Sequence, residues 1–232
     1  MCVLGNLGHD DGVDEGVDEG VDEGVWYASY GSNMWWDRFR CYLEGGAPPG
    51  GTRRHEGARD PSPPTGSRAV RLPHRMYFAG HAAGWGGGGV SFLDHERLGH
   101  DDPACAWGRA WRVTREQFDD VVAQENGLLP GTLAIDVAQL GPGDWRLIAP
   151  GAYGRLVLVE HLDGVPMVTF TSLRPLAEAD LHAPAGAYLR TLVLGLLDGT
   201  DLEAADIGAL LAAVPGAAGR WTGQAIAELA QL

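Results

Sequence analysis

Two stretches far apart in the chain hold the groups best suited to chemistry. The first, Tyr27-Ala28-Ser29-Tyr30-Gly31-Ser32-Asn33-Met34, runs an extended apolar segment straight into Gly-Ser-Asn. A strand that ends in a glycine turn exposes backbone N–H groups at a sheet edge, a cradle for a carboxylate or a developing oxyanion. An ordinary strand-to-turn junction uses the same residue types. The second stretch runs from Trp107 to Gly127. Trp107, Arg109, Trp111 and Val113 alternate with small residues, the period-2 pattern of a strand. Thr114 with Gln117 three residues on is a capping box that opens a helix. Phe118, Val121 and Val122 form the apolar stripe of that helix, the next position of the stripe is Glu125, and Asn126-Gly127 closes it. A carboxylate at the inward end of an apolar face, beside the negative end of a helix dipole, is expected to hold its proton more tightly than usual and so to suit a proton shuttle. The competing arrangement frays Glu125 outward or pairs it with an arginine.

Other chemistries find less support. All 17 basic residues are Arg, and the absence of Lys removes a phosphate-loop lysine, a Schiff base and a Ser-Lys dyad together. Cys2, Cys41 and Cys105 are odd in number and widely spaced, which indicates neither a disulfide framework nor a zinc knuckle; Cys41 reads as a small core residue. His95 and His100 in His95-Glu96-Arg97-Leu98-Gly99-His100 are one residue too far apart for a zincin pair, and on a helix would point about 140° apart. Asp94, His95, His100, Asp101 and Asp102 remain a candidate loop site for a divalent ion. Ser32 lacks the G-x-S-x-G elbow of a serine hydrolase. Gly84 to Gly89 has no following Lys and reads as a strand entry where substrate or backbone comes close.

The elements that must position these groups read as an α+β fold. Strands are expected at 132–137, 145–149, 155–160 and 165–171, the last two joined by a hairpin at Asp163-Gly164. Leu189, Leu192, Val193 and Leu196 make one helix face, and Thr200 with Glu203 is expected to cap a further helix that stops before Pro215. The net charge of -14 is concentrated at the start: residues 1–24 hold eight acidic residues and no Arg, which leaves -14 + 8 = -6 for the rest. Residues 13–24 are three copies of Val-Asp-Glu-Gly, so residues 1–24 read as a disordered acidic leader ahead of a domain at 25–232. Six arginines, Arg53, Arg54, Arg59, Arg68, Arg71 and Arg75, crowd a Pro- and Gly-rich insert at about 44–76, read either as a solvated loop, as a clamp for a substrate carboxylate, or as a partner of the leader. No run approaches the ~18 apolar residues of a membrane span, no basic signal-peptide start is present, and an acidic chain is a poor nucleic-acid binder. Cytoplasmic residence with neither membrane nor nucleic-acid partner is the expectation; the oligomeric state stays open.

The Tyr27-x-x-Tyr30-Gly31-Ser32-Asn33 segment, the glycine run into Val90-Ser91-Phe92-Leu93, the Trp107-Gly108-x-x-Trp111 strand leading to Gln124-Glu125-x-Gly127, and Trp221-Thr222-Gly223 together resemble, in the same order, the γ-glutamylcyclotransferase family across residues 25–224. Asn33 separates the chain from the glutathione-degrading branch, which carries Leu there. The resemblance implies a compact fold built round a small mixed β-barrel flanked by helices, and release of 5-oxoproline from a γ-glutamyl amide or peptide without cofactor or metal. It further implies that Tyr27, Ala28, Ser29, Tyr30, Gly31 and Ser32 bind the γ-glutamyl group, that Glu125 is the catalytic carboxylate, and that Tyr188 closes over the substrate from a helix start. The partner is then a small γ-glutamyl compound. The rival readings are an amide-cleaving hydrolase or deacylase using Ser32 or a loop metal, and a non-catalytic binding module.

Overall fold

A computed structural model describes residues 24–49 and 53–232. The acidic leader at 1–23 lies outside them. Seven strands form one sheet in the order β3-β2-β4-β1-β7-β6-β5, with β1 (Val25–Ser29) at its centre between β4 (Cys105–Val113), antiparallel, and β7 (Val165–Thr171), parallel. β2 (Gly66–Ala82) is long because it serves two partners: residues 66–72 pair with β4, and residues 76–82 pair with β3 (Gly88–Leu93). The register shifts between Leu72 and Arg75, where Pro73 has no N–H to give to a ladder and a bulge is the expected consequence. On the other side β6 (Arg155–Leu162) pairs with β7 and with the short β5 (Trp145–Leu147). The sheet curls, so that Thr171 Oγ1 at the end of β7 accepts from Leu93 N (2.8 Å) and donates to Leu93 O (2.9 Å) at the end of β3. That approach encloses the space in which the candidate site sits.

Each face of the sheet carries its own core. Trp26, Ala28 and Tyr30 pack toward α3 (Gly186–Gly199), α4 (Ala204–Ala212) and α5 (Gly223–Glu228), whereas Val25 and Tyr27 pack toward α1 (Trp36–Glu44) and α2 (Arg115–Glu125). Within β1 the alternation turns Ala28 away from the face of Tyr27, whereas Tyr30, just past the strand end, packs with the α3 side and still lines the site.

The local signals hold where their chemistry is local. Both halves of the Thr114/Gln117 capping box form, and Gly127 closes α2 at φ 73°. The hairpin at Asp163-Gly164 has both residues at positive φ, 55° and 79°, as a type I′ turn requires. Leu189, Leu192, Val193 and Leu196 are the buried face of α3. Two expectations fail. Residues 132–137 form no strand: Leu133, Ile135 and Val137 pack on the α2 side of the core, and Ile135 N donates to Asp119 Oδ1 (3.1 Å), a side chain, where a strand would need a neighbouring ladder. Thr200 does not cap α4; it ends α3, donating Oγ1 to Leu196 O (2.7 Å), while Glu203 takes the N-cap position of α4 without a side-chain bond. The expected strand at 145–149 shortens to β5. The insert at 44–76 is also shorter than expected, because residues 66–76 belong to β2.

Candidate active site

A cavity of about 360 Å³ opens between the end of β1, the start of α1, the C-terminal end of α2, the β2–β3 connection and the start of α3. Chain reversal after β1 creates its floor. Gly31 leads into a single 3₁₀ turn, Ser32–Met34, whose first internal bond is Met34 N to Gly31 O (3.0 Å), so the N–H groups of Ser32 and Asn33 precede any bond of that turn. Glycine is required at 31 by close approach. A Cβ there would lie 2.5 Å from Ser91 Oγ and 3.0 Å from the Tyr188 hydroxyl. Gly88 and Gly89, which open β3, have a parallel cause, since a Cβ on either would collide with the backbone of Ala185 or of His182; a Cβ on Gly84, Gly86 or Gly87 would meet nothing within 4 Å, so the expected close approach holds only for the last two glycines of the run.

The structure brings Tyr27, Ser29, Tyr30, Gly31, Ser32, Glu125 and Tyr188 to this one cavity. Ala28 is the exception, fully buried on the opposite face of β1 toward α3; only its carbonyl is engaged, accepting from Thr169 Oγ1 (2.7 Å). Glu125, half-buried as the last residue of α2, accepts at Oε1 from Asn33 Nδ2 (2.8 Å). It makes no ion pair among the described residues. The same Asn33 Nδ2 lies 3.2 Å from the Tyr27 hydroxyl, and the Asn33 carbonyl accepts from Trp111 Nε1 (2.8 Å). The carboxylate sets the orientation of the Asn33 amide, since the flipped amide would face oxygen to oxygen. That leaves Asn33 Oδ1 buried with no donor from the protein.

The phenols around the carboxylate stay protonated. Burial, and then the charge of Glu125, push Tyr27 and Tyr42 far above the usual phenol range; burial does the same for Tyr30 and raises Tyr188. Tyr188 is buried rather than poised above an open site. Its hydroxyl accepts from Ser91 N (3.0 Å) and shares a hydrogen with Ser91 Oγ (2.8 Å), so one proton of the pair remains for a third acceptor.

Sequence reasoning missed Arg38, Tyr42, His55 and Ser91. Arg38, on α1, is only 7% exposed and reaches the cavity, with Nη2 donating to the Tyr42 hydroxyl (3.0 Å), Nη1 to His55 Nε2 (2.7 Å) and Nε toward Ser32 Oγ (3.5 Å). Its guanidinium also lies over the rings of Tyr42 (5.0 Å) and Trp85 (5.4 Å). Burial first, and then the guanidiniums of Arg38 and Arg53, push His55 down to about 3, so the imidazole is neutral and Nε2 is its acceptor. The only signal in the sequence was the i, i+4 spacing of Arg38 and Tyr42 beside the apolar Phe39 and Leu43.

The arginines of the insert have other tasks. Arg53 alone among them lines the cavity, and it donates to Gln124 O (2.8 Å) at the C-terminal end of α2, where a cation meets the unsatisfied carbonyls. Arg59 binds the fully buried Asp120 through Nε (3.1 Å) and its own N (2.9 Å), which clamps the insert to α2. Arg68 pairs with Asp163, and Arg71 donates to the carbonyls of Asp102, Pro103 and Cys105 and lies over Trp107. Arg75 lines a separate groove against α4. Arg54 is exposed.

The rival chemistries lack their geometry. Ser32 Oγ faces Arg38 Nε and no imidazole. Asp94 Oδ1 is occupied by His95 N and Leu176 N, His95 Nε2 meets Ser172 O, and Asp102 Oδ1 accepts from Ala104 N. Among the described residues no three His, Cys, Asp or Glu side chains are grouped to hold a metal ion. Cys41 is buried, and burial raises its thiol further from the thiolate that a nucleophile needs. None of the described helices is long and apolar enough to cross a membrane.

The chain shares similarity with known proteins in sequence and in structure. No family model matches the chain. Over 194 residues the chain is 37% identical to the protein named Histone deacetylase 5 from Arabidopsis thaliana, an alignment that covers 77% of this chain and 29% of that protein, so the chain spans less than a third of the length of this relative. A solved structure named Gamma-glutamyl cyclotransferase superposes with a TM-score of 0.46 and 14% identity, over 89% of this chain and 97% of the other.

Proposed function

We propose that the chain cyclises a γ-glutamyl amide or peptide to 5-oxoproline and releases the amine. The observation that carries this reading is the placement of the Glu125 carboxylate, held at 2.8 Å by Asn33, in the same cavity as the turn at Tyr30-Gly31-Ser32 and Tyr188. Cyclisation asks little covalent chemistry of a protein. The α-amino nitrogen attacks its own γ-carbonyl carbon, so the site must deprotonate the α-ammonium, hold the curled conformer and protonate the departing amine. Intramolecular orientation of this kind is worth effective molarities of roughly 10⁵–10⁸ M, and holding the curled conformer in a small cavity is how the site would supply it.

Glu125 takes a proton from the α-ammonium. The new C–N bond forms as the carbonyl oxygen becomes an oxyanion. N–H groups of the turn after Gly31, with the spare hydroxyl proton of the Ser91/Tyr188 pair, face that charge; each donor of this type is worth about 10²–10³ in rate. Collapse of the oxyanion breaks the bond to the leaving amine as Glu125 gives its proton to that nitrogen, and the second proton, shed by the ring nitrogen as the lactam forms, passes by way of Glu125 to the amine, which departs as an ammonium.

Incubation with a panel of γ-glutamyl amines, amino acids and peptides tests the reading. 5-Oxoproline should accumulate with wild-type protein, and Glu125→Gln should lose about 10²–10⁴-fold in turnover while keeping its melting temperature. Wild-type rates in Glu125→Gln would overturn the mechanism. The name of the Arabidopsis relative keeps hydrolytic deacylation as the second reading. It predicts a free acid in place of 5-oxoproline from the same panel.

A further inference from the structure

We infer that Arg38 and Glu125 together form a receptor for a zwitterionic α-amino acid head, with Arg38 binding the α-carboxylate and Glu125 the α-ammonium of one ligand. The inference rests on the cyclotransfer reading for the identity of that ligand, and on separate observations for the receptor. Arg38 is a buried cation whose hydrogen-bond partners, Ser32, His55 and Tyr42, are all neutral. None of the ion pairs among the described residues includes it. Removing a guanidinium from water without an anion is costly, and a structural arginine at this burial is normally compensated by a carboxylate. Three of the five N–H donors of a guanidinium are used, which leaves two, the number that a carboxylate takes in a fork.

Geometry picks out which carboxylate. Tyr42 stands between the two charges in the cavity that all three residues line, and its hydroxyl accepts from Arg38 Nη2 at 3.0 Å. Cation and anion thus line one small cavity without pairing with each other, the arrangement that a ligand carrying an ammonium and a carboxylate on one carbon requires. Arg53, which also lines the cavity, is exposed and spends a donor on Gln124 O, so it sits at the rim. With the α-carboxylate on Arg38, the N–H groups of the Gly31 turn are left for the oxyanion.

Binding and turnover of paired ligands test this. Calorimetry compares 5-oxoproline with its uncharged carboxamide, and kinetics compares a γ-glutamyl amide with the same compound bearing an α-carboxamide, in wild type, Arg38→Lys, Arg38→Met and Arg53→Ala. Wild type and Arg53→Ala should prefer the carboxylate by about 10²-fold, Arg38→Lys by less, and Arg38→Met by no more than a few-fold, so that the losses from the ligand and from the protein do not multiply. The ligand pair alone decides the matter should a variant fail to fold: no preference in wild type overturns the inference. So does a preference that survives in Arg38→Met or vanishes in Arg53→Ala, or failure to bind either oxoproline compound. 5-Oxoproline release with a preference independent of Arg38 would sink this inference alone. Arg38-dependent binding without any release would keep the receptor and sink the cyclotransfer reading.

Discussion

Asn33 Nδ2 donates to Glu125 Oε1 at 2.8 Å, and this one bond ties the turn after β1 to the end of α2 across 92 residues of sequence. The turn carries the backbone donors, and α2 carries the carboxylate. Their relative position is thus set by a buried residue whose side-chain amide also reaches the Tyr27 hydroxyl and whose backbone carbonyl accepts from Trp111 Nε1, both partners belonging to the sheet. Asn33→Ala removes the link and leaves both elements in place. Turnover should fall by about 10²-fold, the usual effect of a misplaced reacting group, with a smaller change in KM. Equal kcat for Asn33→Ala and wild type would show that Glu125 needs no such positioning.

Gly31→Ala separates crowding from backbone strain, because Gly31 has φ -120°, which any residue adopts. Its Cβ would meet Ser91 Oγ at 2.5 Å and the Tyr188 hydroxyl at 3.0 Å. Overpacking of this kind costs about 1–3 kcal/mol. Thermal denaturation should show that loss, and the double variant Gly31→Ala/Ser91→Ala should recover part of it by removing the nearer oxygen. No recovery would place the cost elsewhere than at Ser91.

What was legible in the sequence was what neighbouring residues determine. The Thr114/Gln117 box, the Asp163-Gly164 turn and the stripe Phe118, Val121, Val122 each need only a few adjacent positions, and the stripe correctly brought Glu125 to the inner end of α2. Residues 132–137 carry the alternation of a strand, yet a strand exists only with a partner ladder, and that is a tertiary fact. The choice of Ala28 failed for a related reason: a motif marks a segment, while the pleat sends alternate side chains to opposite cores. Arg38 was invisible because its significance lies in having no ion-pair partner among the described residues, which only packing reveals. The insert misled through composition, since five of its six arginines are spent on α2, on Asp163, on loop carbonyls, on a different groove or in solvent.

Thr114→Ala tests whether the two ends of α2 are independent. Thr114 Oγ1 accepts from Gln117 N at 3.1 Å, while Gln117 Nε2 separately holds Ser62 O at 2.8 Å. Loss of the cap should cost about 1 kcal/mol, a fall of roughly 2–4 °C in Tm for a domain of this size. Because Glu125 is held at the far end by Asn33, and the last carbonyls by Arg53, kcat/KM should stay within about 3-fold of wild type. A loss of activity larger than the loss of stability would mean that the cap steers the carboxylate.

His55 makes stability depend on acidity. Its folded pKa, about 3, lies below the ordinary histidine value of 6.5, so the unfolded chain binds a proton that the folded chain refuses. The neutral imidazole is fully compatible with the fold above pH 6.5, and the unfolded state gains on the folded one as pH falls from 6.5 toward 3. Burial is the first reason the proton is refused and Arg38 the second: its Nη1 uses Nε2 of His55 as acceptor at 2.7 Å, and protonation would set two cations face to face. The melting temperature of wild type should therefore drop across this range. His74, also lowered by burial, adds to the drop, so the comparison is with His55→Asn, which keeps an acceptor but does not titrate. His55→Asn should show the shallower acid dependence while His74→Asn shows a separate, additive change. Parallel curves for His55→Asn and wild type would show that His55 is not the group that the fold holds neutral.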